Sequence, residues 1–311
     1  MPFQRLMKVF AMLATGAVMS TMASASTVKA GPGQAELANA TFTGLHGAAK
    51  SITLVDGRWE GEPWIEGGAS VPSARLVGDL VVHADLNGDG VIESLNLISY
   101  SGGGTGHFVH LAVNRFNNGS VENVSNALLG DRVMVRGVRI QDEMILVDLV
   151  QAGPGDGACC PGDMITRAWA LQPSGLEELL HSDAVRRLSP DLLDGSEWRL
   201  SRWSPDEPVD EDIAISVAWA EGRLTGRSAC NRFFASVESG QGAASALVVG
   251  AVGSTRMACI DEQRASAERR FLGALGKVNR MYFLAGDLVL YWGEGSEFGG
   301  LHFKRAMNEG N

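Results

Sequence analysis

The segment DLNGDGVIE, residues 85–93, spaces oxygen-bearing side chains as a calcium site requires. The predicted ligands are Asp85, Asn87, Asp89, Val91 and Glu93. Calcium takes about six to eight oxygen ligands, and the glycine at position 90 permits the sharp turn between them. The segment departs from the EF-hand pattern at Asn96, where that pattern has a glutamate. We expect a structural calcium ion and no other cofactor, and a turn with solvated carboxylates is the alternative.

The four cysteines form two candidate disulfides. An even number of cysteines favours disulfides in an oxidising compartment. Cys230 and Cys259 each stand at the edge of a strand-like segment, so antiparallel pairing would bring them to bonding distance; two buried thiols are the alternative. We expect the neighbouring Asn231 to bond backbone groups in a bend. Cys159 and Cys160 are adjacent, and either a strained vicinal disulfide or two thiols in a turn would fit. The scattered histidines do not favour zinc.

Catalytic motifs are missing from the sequence. It contains no G-x-S-x-G, H-E-x-x-H or P-loop pattern. The stretch SGGGTGHF, residues 101–108, is glycine-rich but opens a strand and not a helix, so it does not predict a phosphate cradle. His107 and His110 would need a serine and an aspartate to form a triad, and a chain of 311 residues contains such sets by chance. We expect no catalytic residue and no enzyme.

The first 25 residues have the pattern of a secretory signal peptide, with a basic start, an apolar run and the cleavage site Ala23-Ser24-Ala25. Removing them takes away two of 26 basic residues and no acidic one, which leaves 24 basic against 36 acidic residues and a charge of −12. This acidity disfavours nucleic-acid partners. No later segment is long and apolar enough to span a bilayer, and no cysteine near the cleavage site predicts a lipid anchor. We expect a periplasmic or secreted protein.

The pattern of apolar runs and turn-forming residues along the chain predicts two β-rich domains. Residues 26–37 are small and polar and indicate a flexible leader. Residues 38–172 consist of short apolar runs separated by Gly, Asn and Asp, without helical periodicity, which predicts a β domain. In residues 173–192, Ser174 followed by Glu177 is typical of a helix start, and Pro190 would end the helical stretch. This segment therefore predicts a linker with short helices.

Residues 193–305 predict a second domain with a single amphipathic helix. The segments EWRLSRW and IAISVAW alternate as strands do, whereas DEQRASAERRFLGALGKV has helical periodicity and Asp261 as its cap. One helix packed on an antiparallel sheet is an α+β arrangement. The predicted fold class is therefore α+β, predominantly antiparallel β, and residues 306–311 form a tail.

The second domain resembles the META domain of the HslJ family of bacterial envelope proteins. The residues that carry the resemblance are Gly226, Cys230, Asn231, Phe233, Thr255, Met257, Ala258 and Cys259, with Ala229 where the family more often has glycine. The resemblance implies an envelope protein associated with heat and antibiotic tolerance and without established enzyme activity.

The first domain resembles a domain of LppP/LprE-type bacterial envelope proteins. The segments that carry this resemblance are DGRWEGEPW, DLNGDGVIES and CCPGDMITRAWAL, within residues 38–171. That domain is functionally uncharacterised, so the resemblance implies architecture and location only.

Together these features predict a secreted, non-catalytic envelope protein that acts as a stress-tolerance or binding module. Its partner would be a protein or small ligand of the envelope whose identity the sequence does not reveal. An inhibitor of an external hydrolase is the first alternative, because small disulfide-linked β domains are common in that class. A hydrolase with an unrecognised site is the second.

Overall fold

The computed structural model describes residues 30–181, 186–204, 207–294 and 297–306. The predicted signal peptide and the tail from residue 307 onward lie outside these ranges. Every strand pairing in the described residues is antiparallel. The α-helices there are α1 (Gln34–Leu37) and α2 (Glu262–Leu275). The fold is therefore predominantly antiparallel β, as predicted. No helix in the described ranges is long and apolar enough to cross a membrane.

The first sheet has six strands in the order β3-β4-β6-β7-β8, with β5 paired to β6. Two further strands, β1 and β2, form a separate hairpin. The bounds are β1 (Thr41–Phe42), β2 (Ile52–Thr53), β3 (Arg58–Glu60), β4 (Ser73–Leu76), β5 (Val82–Ala84), β6 (Glu93–Ser101), β7 (Phe108–Asn117) and β8 (Ser120–Asp131). The central strand β6 is buried along its whole length, which fits its position between β4, β5 and β7.

The residues before β1 correct the prediction of a flexible leader. From residue 30 the chain is described, and Leu37 is fully buried. Ser94 Oγ donates a hydrogen bond of 2.6 Å to the carbonyl of Pro32. A Cβ added to Gly31 would lie 2.5 Å from Ser94 Oγ. The small residues that suggested a loose leader instead allow the backbone to pass close to β6, and residues 26–29 lie outside the described ranges.

The second sheet has five strands in the order β12-β11-β10-β9, with β13 paired to β11. The bounds are β9 (Met134–Gln141), β10 (Met144–Gln151), β11 (Asp163–Gln172), β12 (Gly175–His181) and β13 (Arg186–Arg187). The helix predicted after Ser174 is wrong, because residues 175–181 pair along β11. Ser174 Oγ bonds Glu177 Oε1 at 2.6 Å, so the spacing that resembles a helix cap lies at a hairpin. The described part of the linker has only one short 3-10 helix, at Pro190–Leu193.

The third sheet has ten strands, and eight of them follow the order β19-β18-β17-β16-β14-β23-β22-β21. The bounds are β14 (Glu197–Ser204), β15 (Glu207–Pro208), β16 (Ile215–Ala220), β17 (Arg223–Ser228), β18 (Arg232–Ser239), β19 (Leu247–Val249), β20 (Gly253–Ser254), β21 (Arg280–Leu284), β22 (Asp287–Glu294) and β23 (Glu297–Arg305). A bridge between Ala246 and Arg280 brings the two ends of this sheet together. The sheet is therefore nearly closed into a barrel.

Helix α2 packs into the core of this near-barrel. The carboxylate of Asp261 accepts the backbone N–H groups of Gln263 at 2.8 Å and Arg264 at 3.1 Å, so the predicted cap is confirmed. The buried residues of the helix are Ala267, Phe271, Ala274 and Leu275. The ring of Phe271 meets that of Phe233 edge to face, with centroids 5.2 Å apart.

The near-barrel also packs against the second sheet. The hydrophobic core of the near-barrel includes Met134, Val150 and Met164 from strands β9, β10 and β11 of the second sheet. The N–H of Gly286 donates a 3.0 Å hydrogen bond to the carbonyl of Val135. Because apolar residues of both parts are buried in one cluster, stability is best measured on the full chain and not on fragments.

Candidate functional site

The bend between β17 and β18 contains Cys230 and is held in place by hydrogen bonds of Asn231. The side-chain oxygen of Asn231 accepts from Thr255 Oγ1 at 2.8 Å and from the N–H of Met257 at 2.7 Å. Its amide nitrogen donates to the carbonyl of Met257 at 3.2 Å and to Glu268 Oε1 at 2.7 Å. Asn231 is buried, and its hydrogen bonds tie the bend to residues 255–257 and to helix α2. Its role is structural.

The same contacts bring the cysteines together. Cys230 and Cys259 are paired with their Cα atoms 5.8 Å apart, within the usual range of about 4.4–6.8 Å for disulfides. Cys159 and Cys160 are also paired, with Cα atoms 3.8 Å apart. Cys160 accepts a contact of 3.6 Å from Arg280 Nη1. The Cα separation lies in the usual range for Cys230–Cys259 and below it for the adjacent Cys159 and Cys160, and the oxidation of both pairs in the cell stays a prediction.

Glu268 on α2 is the residue that the sequence analysis missed. Its Oε2 accepts from Ser228 Oγ at 2.9 Å and from the backbone N–H groups of Cys230 at 3.1 Å and Asn231 at 2.7 Å. Burial alone would raise the pKa of Glu268, but these bonds and the one from the Asn231 amide outweigh it and lower the pKa. The carboxylate therefore stays ionised and fixes the cysteine-bearing bend to the helix. The one signal in the sequence was its place three residues before Phe271, beside the apolar face of the helix.

A groove of about 680 Å³ lies next to this bend and is lined mainly by β16, β17 and β18. Arg227 and Arg232 line it and stand directly opposite each other in the ladder. Neither arginine forms an ion pair with any described residue. Phe234 and Met257 also line the groove and are 63% and 66% exposed. Glu197 lines the groove as well, so the groove combines two arginines, one carboxylate and exposed apolar surface, in a chain whose formal net charge is −10.

Residues 191–305 match the META domain family. The match confirms the resemblance predicted for residues 193–305, and we call this part of the chain the META unit. The resemblance of residues 38–171 to the LppP/LprE-type domain lies outside the matched residues and stays a prediction.

One solved structure is also similar. It is an NMR structure of a protein from Burkholderia xenovorans, with 26% identity and a TM-score of 0.32 over 41% of this chain and 96% of that chain. No curated protein matches the chain.

Outside the META unit, the predicted calcium loop lies between β5 and β6. The carboxylate of Asp85 accepts the N–H groups of Gly88 at 2.8 Å and Gly90 at 2.9 Å. These bonds, that from Gly90 first, lower the pKa of Asp85. Asn87 Nδ2 donates to Asp89 Oδ2 at 3.1 Å. The loop is therefore curled around the Asp85 side chain, with Asn87 and Asp89 exposed.

The carboxylates of this loop do not converge on one point. In the described ranges, no group of three or more His, Cys, Asp or Glu side chains lies close enough together to hold a metal ion. Two of the five predicted ligands are of other kinds, the amide of Asn87 and the backbone of Val91. Glu93 differs from the other four in that it is completely buried.

Of the two histidines considered for a triad, His110 lies in the core. His110 is 1% exposed, and its Nε2 accepts the backbone N–H of His46 at 2.9 Å. Burial, with a smaller contribution from His46, lowers the pKa of His110 to about 4. The backbone N–H of His107 donates to Asp131 Oδ1 at 2.8 Å. His110 is thus a core residue, which disfavours the triad hypothesis.

Proposed function

We propose that the protein is a secreted, non-catalytic envelope protein whose META unit binds a ligand that joins an anionic group to an apolar part. The groove beside the cysteine-bearing bend carries this proposal. Like charges directly opposite each other on a sheet are unfavourable, and a bound anion would offset the repulsion between Arg227 and Arg232. The exposed ring of Phe234 and the thioether of Met257 beside them would bury apolar surface on the same ligand.

Secretion is supported by the sequence pattern of residues 1–25 and by the META match, whose family is associated with the bacterial envelope. We expect mature protein from an envelope fraction to begin near residue 26. Mass spectrometry of the N-terminus measures this directly, and an intact Met1 in that fraction would contradict it.

The binding proposal is tested with anilinonaphthalene sulfonate, a probe that joins an aromatic system to a sulfonate. Replacing Phe234 with serine should weaken binding about tenfold, since burying an aromatic side chain contributes about 1.5–3 kcal/mol. Arg232→Glu should weaken it as well, because it replaces attraction of the sulfonate by repulsion.

Trp64→Ser provides the matched control, since Trp64 is 67% exposed and lies between β3 and β4, outside the META unit. Fluorescence titration gives the affinity of each variant. Equal losses in Phe234→Ser and Trp64→Ser, or no loss in either, would contradict a binding site in the groove.

A further inference from the structure

Glu93 has a buried carboxylate oxygen that no described group satisfies. Its side chain is 0% exposed. Oε2 accepts the N–H of Leu86 at 2.9 Å, whereas Oε1 has no hydrogen-bond partner. An unpaired acceptor of this kind is costly, and native proteins rarely keep one without a ligand, water or ion. The orphaned oxygen therefore indicates that something beyond the protein completes this site.

The charges around Glu93 favour a cation as the missing group. Among the described residues, no Arg, Lys or His forms an ion pair with Asp85, Asp89 or Glu93. Arg115 lines the same groove as Asn87 and Asp89, but its Nε donates to Glu122 Oε2 at 2.9 Å, so its guanidinium is engaged with another carboxylate. The negative charge of the loop is therefore not offset by any described ion pair.

The strand pairing brings the two ends of the loop together. Ala84, the last residue of β5, pairs with Glu93, the first residue of β6. Asp85 follows Ala84 directly, so the first and last acidic residues of the loop start from neighbouring positions. Between them, Gly88 and Gly90 have φ angles of +74° and +83°, which favour glycine and let the loop turn back.

We propose that residues 85–93 bind a calcium ion, with Glu93 Oε1 as the buried ligand and Asn87, Asp89 and the carbonyl of Val91 as the others. Asp85 holds the loop in shape, because both of its carboxylate oxygens accept backbone N–H groups of the loop. The ligands are hard oxygen donors on a short loop, which suits the larger and less directional calcium ion better than magnesium. The set contains two carboxylates, an amide and a carbonyl, so three converging carboxylates are not required. This proposal is independent of the groove on the META unit.

The experiment is calorimetric titration of the full chain with calcium chloride and, separately, magnesium chloride. We expect one calcium ion per chain and at least tenfold weaker binding of magnesium. Glu93→Gln and Asn87→Ala should each weaken calcium binding at least tenfold. Asp56→Asn, an exposed change in another turn of the N-terminal part, is the matched control and should bind calcium as the wild type does.

Absence of binding by the wild type at millimolar calcium would overturn the proposal, and so would undiminished affinity in both variants. Equal affinity for magnesium would overturn the assignment to calcium. Asn87→Ala changes an exposed side chain, so it keeps the test decisive if Glu93→Gln does not fold.

Discussion

Two buried or half-buried glutamates of this protein have opposite surroundings. Glu268 of the META unit accepts four hydrogen bonds, from Ser228 Oγ, the amide of Asn231 and two backbone N–H groups. Glu93 of the first sheet accepts one, and its second oxygen has no partner among the described residues. A carboxylate whose acceptors are filled by the chain stabilises the fold by itself. A carboxylate with one unsatisfied oxygen destabilises the fold until a ligand binds to it. We therefore interpret Glu268 as a structural residue and Glu93 as part of a binding site.

The disulfide of the META unit should give the largest effect. A bond that closes a loop of about 30 residues contributes about 3–4 kcal/mol in the loop-entropy model. Cys230→Ala and Cys259→Ala should each lower the free energy of unfolding by this amount, and the double variant should lose no more than either single one. Urea denaturation of the three variants measures this, and additive losses would show two independent thiols.

Glu268→Gln should give the next largest effect and lower the free energy of unfolding by about 2–3 kcal/mol. The substitution removes the charge that strengthens the four hydrogen bonds and turns an amide N–H₂ toward groups that are themselves donors. Glu262→Gln on the same helix is the control, because its side chain is 85% exposed and such surface groups contribute little. If Glu268→Gln lowers the free energy of unfolding no more than the control does, Glu268 does not stabilise the fold through these hydrogen bonds.

The Glu268 contribution should also depend on pH. Because its pKa is lowered in the folded chain, the stabilisation is present above the ordinary pKa of glutamate and disappears as pH falls through the lower folded value. The difference in stability between wild type and Glu268→Gln should therefore shrink only on acidification below about pH 4.

A further prediction concerns His110, whose buried Nδ1, like Oε1 of Glu93, has no hydrogen-bond partner in the described part of the chain. Its pKa is lowered from 6.5 to about 4, so as pH falls below 6.5 the unfolded chain takes up a proton that the folded chain does not. Stability should fall by about 2 kcal/mol between pH 7 and pH 5 from this residue alone. The measurement is the pH dependence of unfolding in wild type and in His110→Gln, which can still accept the N–H of His46. Parallel curves would contradict the prediction.

Local patterns predicted much of this fold because strand alternation and helix caps are local. The alternating segment EWRLSRW lies in β14, and Asp261 caps α2, as their patterns predicted. The errors arose where tertiary contacts override a local pattern. Ser174 and Glu177 have the spacing of a helix cap. Residues 175–181 nevertheless pair with β11 through backbone hydrogen bonds that an isolated helix would not make with that strand.

The candidate sites also differ in how far apart their residues lie in the sequence. The ligands of the calcium loop lie within nine residues, so their spacing was visible in the sequence. The Glu268 network was not, because Glu268 lies 37 residues from Asn231 and no spacing rule connects a helix interior to a bend that distant. The orphaned oxygen of Glu93 was also invisible, since burial and missing partners belong to the folded chain.

The smallest expected effect is also the sharpest test of the comparison. In the presence of a chelator, Glu93→Gln should raise the free energy of unfolding by about 1 kcal/mol, because it removes a buried charge and keeps an oxygen that can accept the N–H of Leu86. The same replacement at Glu268 should lower it, so one chemical change has opposite signs at the two glutamates. In millimolar calcium the sign at Glu93 should reverse, since only the wild type gains stability from bound ion. Urea denaturation in both conditions measures these differences. A loss of stability in Glu93→Gln without calcium would mean that the orphaned oxygen is satisfied within the fold, and the two glutamates would then have the same role.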